Sequence, residues 1–287
     1  MKRIMVLFCT LVLVFEALVR FAGLADVPLR TANSITGYIP NPNQSGRFLL
    51  NDWVINNLSM ISPEKYVKNI KNVILSGDSV VFGGNPFAQK DRLGSVLNTK
   101  EQPVYSIADG SWSLKNQLNY FNTMVDRLGR IDKIIFVLNS GDFSVPSSWS
   151  CESYHPTAAP LSHLYFVIRK YIYPDCSGTP NEIIVKDYAL TDGLTALLRN
   201  YSGAKIYFIL YPNKAQYMNK VVLSEFIDFS SIIDVGLQNS INVVDLSPMF
   251  ANSNTWMEQF YQDGIHPTKE GVKVLAGIIR ELILDSN

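Results

Sequence analysis

The sequence predicts a three-layer α/β/α sandwich around a mostly parallel five-stranded sheet, and three observations carry that expectation. Five short runs of β-branched and aromatic residues recur along the chain, and stretches of helical periodicity lie between them. None of the runs alternates strictly between apolar and polar residues, as a half-exposed sheet would. Strands covered on both faces and separated by helices build a parallel sheet with helices above and below. With 287 residues, 47% of them hydrophobic, the chain can bury a substantial core.

The elements follow in order. Lys2 and Arg3 precede an apolar run from Ile4 to Phe15, which Glu16 and Arg20 interrupt and residues 21–25 continue. A helix over residues 4–25 would be about 33 Å long, enough to cross a bilayer core. Its two charges are i,i+4 partners near one end, where they can pair and reach the interface. Residues 1–25 therefore read as a signal anchor, a transmembrane helix with Lys2 and Arg3 in the cytoplasm. The chain beyond it would be inner-membrane anchored, in the periplasm or outside the cell. The alternative is a cleaved signal peptide ending at Gly23-Leu24-Ala25, which would make the segment between Phe15 and the cut unusually long and charged.

Residues 26–69, with "GYIPNPNQSGRF", read as a linker or wrapping segment. The domain proper covers 70–287. Its strands are expected at 72–76 ("NVILS"), 103–108 ("PVYSIA"), 133–139 ("KIIFVLN"), 204–210 ("AKIYFIL") and 241–246 ("INVVDL"). Helices are expected at 113–128, 187–201, 224–239 and 267–284, the last with Val272, Leu275, Ile279 and Leu282 on one face. Residues 144–186 break the rhythm as an insertion rich in proline, read as a lid or substrate-binding element or as a cover over a sheet edge.

The 25 basic and 25 acidic residues balance, which argues against nucleic acid as a partner. No zinc-type spacing, Walker loop or dinucleotide fingerprint occurs, so neither a metal nor a cofactor is expected. Cys9 lies in the apolar segment. Cys151 and Cys176 form an even pair in the exported part and read as a disulfide, with two buried thiols as the alternative.

Ligands of open parallel sheets bind at the C-terminal ends of the strands. The first strand ends in "SGDSVVFGGN", where Ser79 stands at a strand-to-loop turn as a candidate nucleophile. A serine hydroxyl needs a base, and the base needs an orienting group. "DGIHP" supplies both in Asp263 and His266, in the loop feeding the last helix. Alone, that stretch reads equally well as an ordinary Asp-Gly turn.

Together, "LSGDS" after the first strand and "DGIHP" before the last helix resemble the SGNH (GDSL-like) hydrolase superfamily, over nearly the whole exported domain. The resemblance implies a Ser79–His266–Asp263 triad, with Asp78 a structural neighbour. It also implies an oxyanion hole from two further blocks. Gly110 in "SIADGSWS" matches the glycine. In "LNSGDF" the family's G-x-N-D pattern is exchanged: Asn139 is the candidate donor, while Gly141 holds the asparagine's place in direct register.

The chain further resembles membrane-anchored bacterial members that add or remove acyl groups on exported glycans, with an Asn-rich stretch comparable to "WVINNLSM" before the first block. This implies an exported serine esterase or O-acyltransferase working through an acyl-serine. Its partners would be an acylated glycan or acyl donor, with a membrane-bound acyl-transfer or polysaccharide-export protein. The alternatives are a catalytically weakened glycan-binding or assembly protein, favoured by the exchanged third block, and a lipid-directed esterase or thioesterase with a deep apolar tunnel. Trp112, Trp149 and Tyr154 are candidates to stack on sugar rings. His155 and His163 are expected to hydrogen-bond locally.

Overall fold

All five runs expected to be strands pair into one sheet. The computed structural model describes residues 1–84, 87–174, 176, 178–226, 237, 240–251 and 257–284. It begins with helix α1 (Lys2–Ala22) and two antiparallel hairpins, β1 (Arg30–Asn33) with β2 (Gly37–Pro40) and β3 (Gln44–Phe48) with β4 (Asn51–Ile55). There follow β5 (Val73–Gly77), α2 (Ser79–Phe82), α3 (Leu93–Leu97), β6 (Val104–Ala108), α4 (Leu114–Thr123), α5 (Val125–Leu128) and β7 (Lys133–Leu138). The insertion carries α6 (His163–Tyr171), and α7 (Leu190–Asn200) leads to β8 (Lys205–Leu210). Next come α8 (Lys214–Met218), α9 (Leu223–Phe226), β9 (Ile241–Asp245), α10 (Ser247–Ala251), α11 (Met257–Phe260) and α12 (Lys269–Ile279).

The strand order is β6-β5-β7-β8-β9, every pair parallel. Every residue of β5, β6 and β7 is buried, which is why these runs lack alternation. Successive residues point to opposite faces and feed two core layers. Val73, Leu75, Ile135 and Val137 pack with Val272, Leu275 and Ile279 of α12. Ile74, Ile134, Phe136 and Leu138 pack with Leu118 and Phe121 of α4 and Leu194 and Leu197 of α7. The buried Lys133 ammonium donates to the carbonyls of Ile283 and Leu284, closing the π-helical turn Arg280–Leu284 in which the last helix ends.

Residues 26–69, read as a linker or wrapping segment, form two short hairpins bounded by Gly, Pro and Asn residues, and these pack on the sheet layers through Trp53, Ile55 and Tyr38. The helix expected over 113–128 is broken at Met124, the C-cap of α4 and the N-cap of α5. Of the helix expected over 224–239, α9 holds the beginning, and nearly all the rest lies outside the described residues.

The order places β5 and β7 side by side, with the chain leaving β5 outward to β6 and returning to β7. This is the switch point at which open α/β sheets form a crevice. Ser79 follows β5 there directly.

Candidate active site

Gly77 ends β5 where backbone must approach backbone. A Cβ on it would lie 2.4 Å from the Val81 side chain and 3.1 Å from the Val137 carbonyl. Asp78 then caps α2, its carboxylate accepting the Val80 N–H at 2.8 Å, and Ser79 is the first helical residue, half-buried at the sheet edge. From the far end of the chain, the loop before α12 presents His266, whose Nε2 lies 2.9 Å from Ser79 Oγ. His266 Nδ1 lies 2.7 Å from Asp263 Oδ2. The other Asp263 oxygen accepts the N–H groups of Ile265 and His266, each at 2.8 Å, so the loop folds around this carboxylate. Burial works against ionisation of Asp263, but those two N–H groups and the His266 ring outweigh it and hold the carboxyl below its ordinary range. With an anion at Nδ1, that nitrogen carries the ring proton and Nε2 is free to accept from Ser79. The three side chains the sequence singled out therefore form one hydrogen-bonded chain able to draw the proton off Ser79 Oγ.

The two residues expected as oxyanion donors point elsewhere. The Asn139 amide nitrogen donates to Asp78 Oδ2 at 3.1 Å and to Asp142 Oδ2 at 3.0 Å, while its Oδ1 accepts the Gly141 N–H at 2.8 Å. Asn139 thus caps the 3₁₀ turn Ser140–Phe143, and its two amide hydrogens are committed to carboxylates. This corrects the expectation that it swings toward an oxyanion. The N-S-G-D order is what allows it: the asparagine closes a local turn, with Asp142 reaching back to the Asn139 N–H at 2.8 Å. Gly110 does line the cleft beside Ser79, but its N–H donates to Asp109 Oδ1 at 2.8 Å.

Behind the serine lies a buried acid pair. Desolvation raises Asp78 above its ordinary value, against the pull of the Val80 N–H and His266. Desolvation, reinforced by the charge of Asp78, raises Asp142 further. The two carboxyls titrate as a pair, and burial keeps a proton on that pair above the ordinary carboxylate range.

Ser79 opens on a cleft of about 500 Å³ whose walls include Arg30, Tyr38, Gly110, Tyr154, His155 and Lys170. Arg30 holds Asp109 through two hydrogen bonds, of 2.6 and 2.7 Å. His155 stacks on Tyr38 with ring centroids 3.7 Å apart, and burial pushes its pKa down to about 4, so the ring is neutral at pH 7. Burial, with the Arg30 charge, brings the Lys170 ammonium down to about 8. Of the aromatics considered for sugar stacking, Tyr154 reaches the cleft. Trp112 is fully buried with its Nε1–H on the Tyr38 carbonyl, and Trp149 bonds the His155 carbonyl. His155 faces the cleft as well, and His163 opens α6. Arg30, Tyr38 and Lys170 carried no local signal, because they come from segments that read as linker and insertion. Cys151 and Cys176 are bonded to each other, 5.0 Å between Cα atoms, so the bond closes a loop within the cleft-facing insertion. Among the described residues no group of three or more His, Cys, Asp and Glu side chains is placed to hold a metal ion.

No family model and no curated protein matches the sequence. Among solved structures the chain is similar to a member of the lipolytic protein G-D-S-L family from Veillonella parvula, at 10% identity and a TM-score of 0.43, over 75% of this chain and 99% of that one. It is also similar to a family two carbohydrate esterase from Clostridium thermocellum, in complex with cellohexaose, at 12% identity and 0.41, over 76% and 66%. An acetyl xylan esterase from Butyrivibrio proteoclasticus stands at 14% and 0.38, over 76% and 65%.

Proposed function

We propose that this chain is an SGNH-type serine esterase or O-acyltransferase, anchored in the membrane by α1 and acting outside the cytoplasm on O-acyl groups of an exported polysaccharide. The observation that carries this reading is the hydrogen-bonded chain from Ser79 Oγ through His266 to Asp263, at the switch point of a parallel sheet. The two quoted motifs supply all three of these residues.

The chemistry follows from the geometry. Ser79 Oγ adds to the ester carbonyl as its proton passes to His266 Nε2, and Asp263 stabilises the imidazolium. Collapse of the tetrahedral intermediate breaks the bond to the alcohol oxygen, which takes the proton back from Nε2 and leaves acyl on Ser79. Water attacking that acyl group completes a hydrolysis, and a sugar hydroxyl completes a transfer, His266 accepting the proton in either case. The open cleft, with Tyr154 on its wall, suits a glycan better than the deep apolar tunnel a lipid esterase requires. A membrane-bound acyl-transfer or export protein would bring donor or glycan to it.

One observation favours the weaker reading, a glycan-binding protein that has lost most of its turnover. In the resting site the Gly110 N–H and the Asn139 amide are both engaged with carboxylates, which leaves neither expected donor aimed at an oxyanion. Intact-mass measurement of the full chain after exposure to an activated acetyl ester decides between them. An acetyl adduct that forms on the wild type and not on Ser79→Ala supports the enzyme. No adduct under any condition, in a protein that still binds glycan, supports the binder.

A further inference from the structure

We infer that the end of α1 is ringed by a second membrane contact, in which the β3–β4 turn and the α6 segment sink into the outer leaflet and hold the catalytic cleft against the lipid surface. This rests on α1 crossing the bilayer, as in the reading above. Its grounds are four features of the folded domain at that helix end.

The first is depth. Helix α1 is 21 residues long, so from Lys2 to Ala22 it rises about 30 Å, the thickness of a hydrocarbon core. Glu16 sits six residues, about 9 Å, before the outer end. There it is bound to the insertion: its carboxylate accepts from the Ser162 hydroxyl and from the N–H groups of His163 and Leu164, and it pairs with Arg20 at 2.7 Å. Arg20 in turn donates to the Leu161 carbonyl at 2.6 Å. A bilayer spanned by α1 therefore reaches the level at which α6 begins.

The second is the β3–β4 turn. Gly23, just past α1, adopts φ +67°, and a Cβ there would come within 1.9 Å of the Arg47 carbonyl. The Leu49 N–H donates to the Ala22 carbonyl at 2.9 Å, so the turn is seated on the helix end. At its tip stand Leu49 and Leu50, both left-handed at φ 46° and 66°. Left-handed backbone is costly for leucine and normally falls to Gly or Asn. Leu49 is 47% and Leu50 68% exposed, so neither strained position is repaid by full burial in the fold.

The third is exposure at both places. Leu50 is 68% exposed, Leu161 98% and Tyr165 59%, beside Phe21 at 82% on α1 itself. Single exposed apolar residues are ordinary, but these cluster around one helix end and continue the apolar surface of α1. The fourth is a largely apolar cavity of about 510 Å³ on the same segment, between Pro156, Ala158, Pro160, Leu161, Tyr165 and Phe166, of a size to admit acyl-chain carbons. Arg20 and Arg169, at the margins, bring cations to the headgroup level. Lys170, on the same helix, lines the catalytic cleft, so α6 spans the distance from lipid to site.

The test uses the full chain reconstituted in vesicles of phosphatidylethanolamine and phosphatidylglycerol carrying nitroxide lipids. Wild type labelled at its free Cys9 with an environment-sensitive fluorophore reports whether α1 is in the bilayer. Leu50→Cys, Leu161→Cys and, as control, Lys100→Cys, each in a Cys9→Ser background, report the second contact. Labels at 50 and 161, lying within about 5–10 Å of the boundary, are expected to lose roughly half their emission to a shallow nitroxide, with no loss at 100. Quenching at Cys9 but not at 50 or 161, with all three engineered labels equally open to aqueous iodide, overturns the inference and leaves the anchor intact. No quenching at Cys9 overturns both. The readout needs no turnover, so it stands apart from the triad. An unreactive Cys151–Cys176 pair confirms that each variant has folded.

Discussion

Arg30 grips Asp109 through paired hydrogen bonds of 2.6 and 2.7 Å, with the arginine 8% and the aspartate 0% exposed. The arginine comes from the first hairpin and the aspartate from the end of β6, so the N-terminal segment is locked to the loop that carries Gly110. Arg30→Met strands a buried carboxylate and should cost about 3–5 kcal/mol, read as a lower urea midpoint. Arg30→Met with Asp109→Leu should recover much of the loss. A single variant as stable as wild type would count against the clasp.

The proposed triad is expected to act as a unit. Ser79→Ala and His266→Ala should each abolish nearly all ester turnover, and the double variant should be no worse than either. Single-turnover kinetics on an activated acetyl ester checks this, and additive losses would remove His266 from its role as base.

Asn139→Ala should act on stability before rate. The amide bridges Asp78 and Asp142 and caps a turn, so its loss should cost about 1–2 kcal/mol. A fall in kcat of about 10²–10³ at unchanged Tm would instead mark a direct oxyanion contact. At Gly141 the backbone tolerates a side chain, but a Cβ would lie 3.0 Å from Asn139 Oδ1. Gly141→Asn should therefore disturb the cap and give no gain in turnover.

Asp142 gives the fold a pH dependence of definite sign. Unfolded, it titrates at its ordinary 3.8, and folded it titrates well above that. Its contribution is fully present below about 3.8 and is lost as pH rises through the folded value. Asn retains the acceptor for Asn139 without the charge. The stability of Asp142→Asn relative to wild type should thus grow from pH 4 upward in urea unfolding, and parallel curves would refute the assignment.

Reduction of Cys151–Cys176, which closes a 25-residue separation, should remove roughly 3 kcal/mol of loop-closure stabilisation. The loss should fall on the insertion, seen as faster amide exchange around α6. Non-reducing peptide mapping tests the pairing itself.

The five strands of the sheet were legible within a residue or two at their ends: burial on both faces marks β5, β6 and β7, and β8 and the edge strand β9, though partly exposed, keep β-branched or aromatic runs. Ser79, Asp263 and His266 were legible because strand ends and helix starts are local features. Asn139 was misjudged for the opposite reason. Whether an amide turns toward an oxyanion or back toward Asp78 depends on a carboxylate 61 residues away. The hairpins were hidden similarly: four- and five-residue strands made of "RTAN" or "QSGRF" owe their form to their partners across the turn. The cleft residues Arg30 and Lys170 acquire meaning through packing of distant segments.

The hydrogen bond between Ser79 and His266 joins residues 187 positions apart, and that separation is also an interval of time. At about 5–20 residues per second, synthesis of the stretch between them takes roughly 10–40 s. Throughout that interval the emerging chain carries its serine without a base. Strands β5, β6 and β7 can pair as they are made, but α12, which supplies a wall of the core, arrives last with the histidine just ahead of it. The hydrogen-bonded chain from Ser79 to Asp263 therefore forms only as α12 docks. Ser79 thus waits for a partner that the same fold supplies 187 residues later.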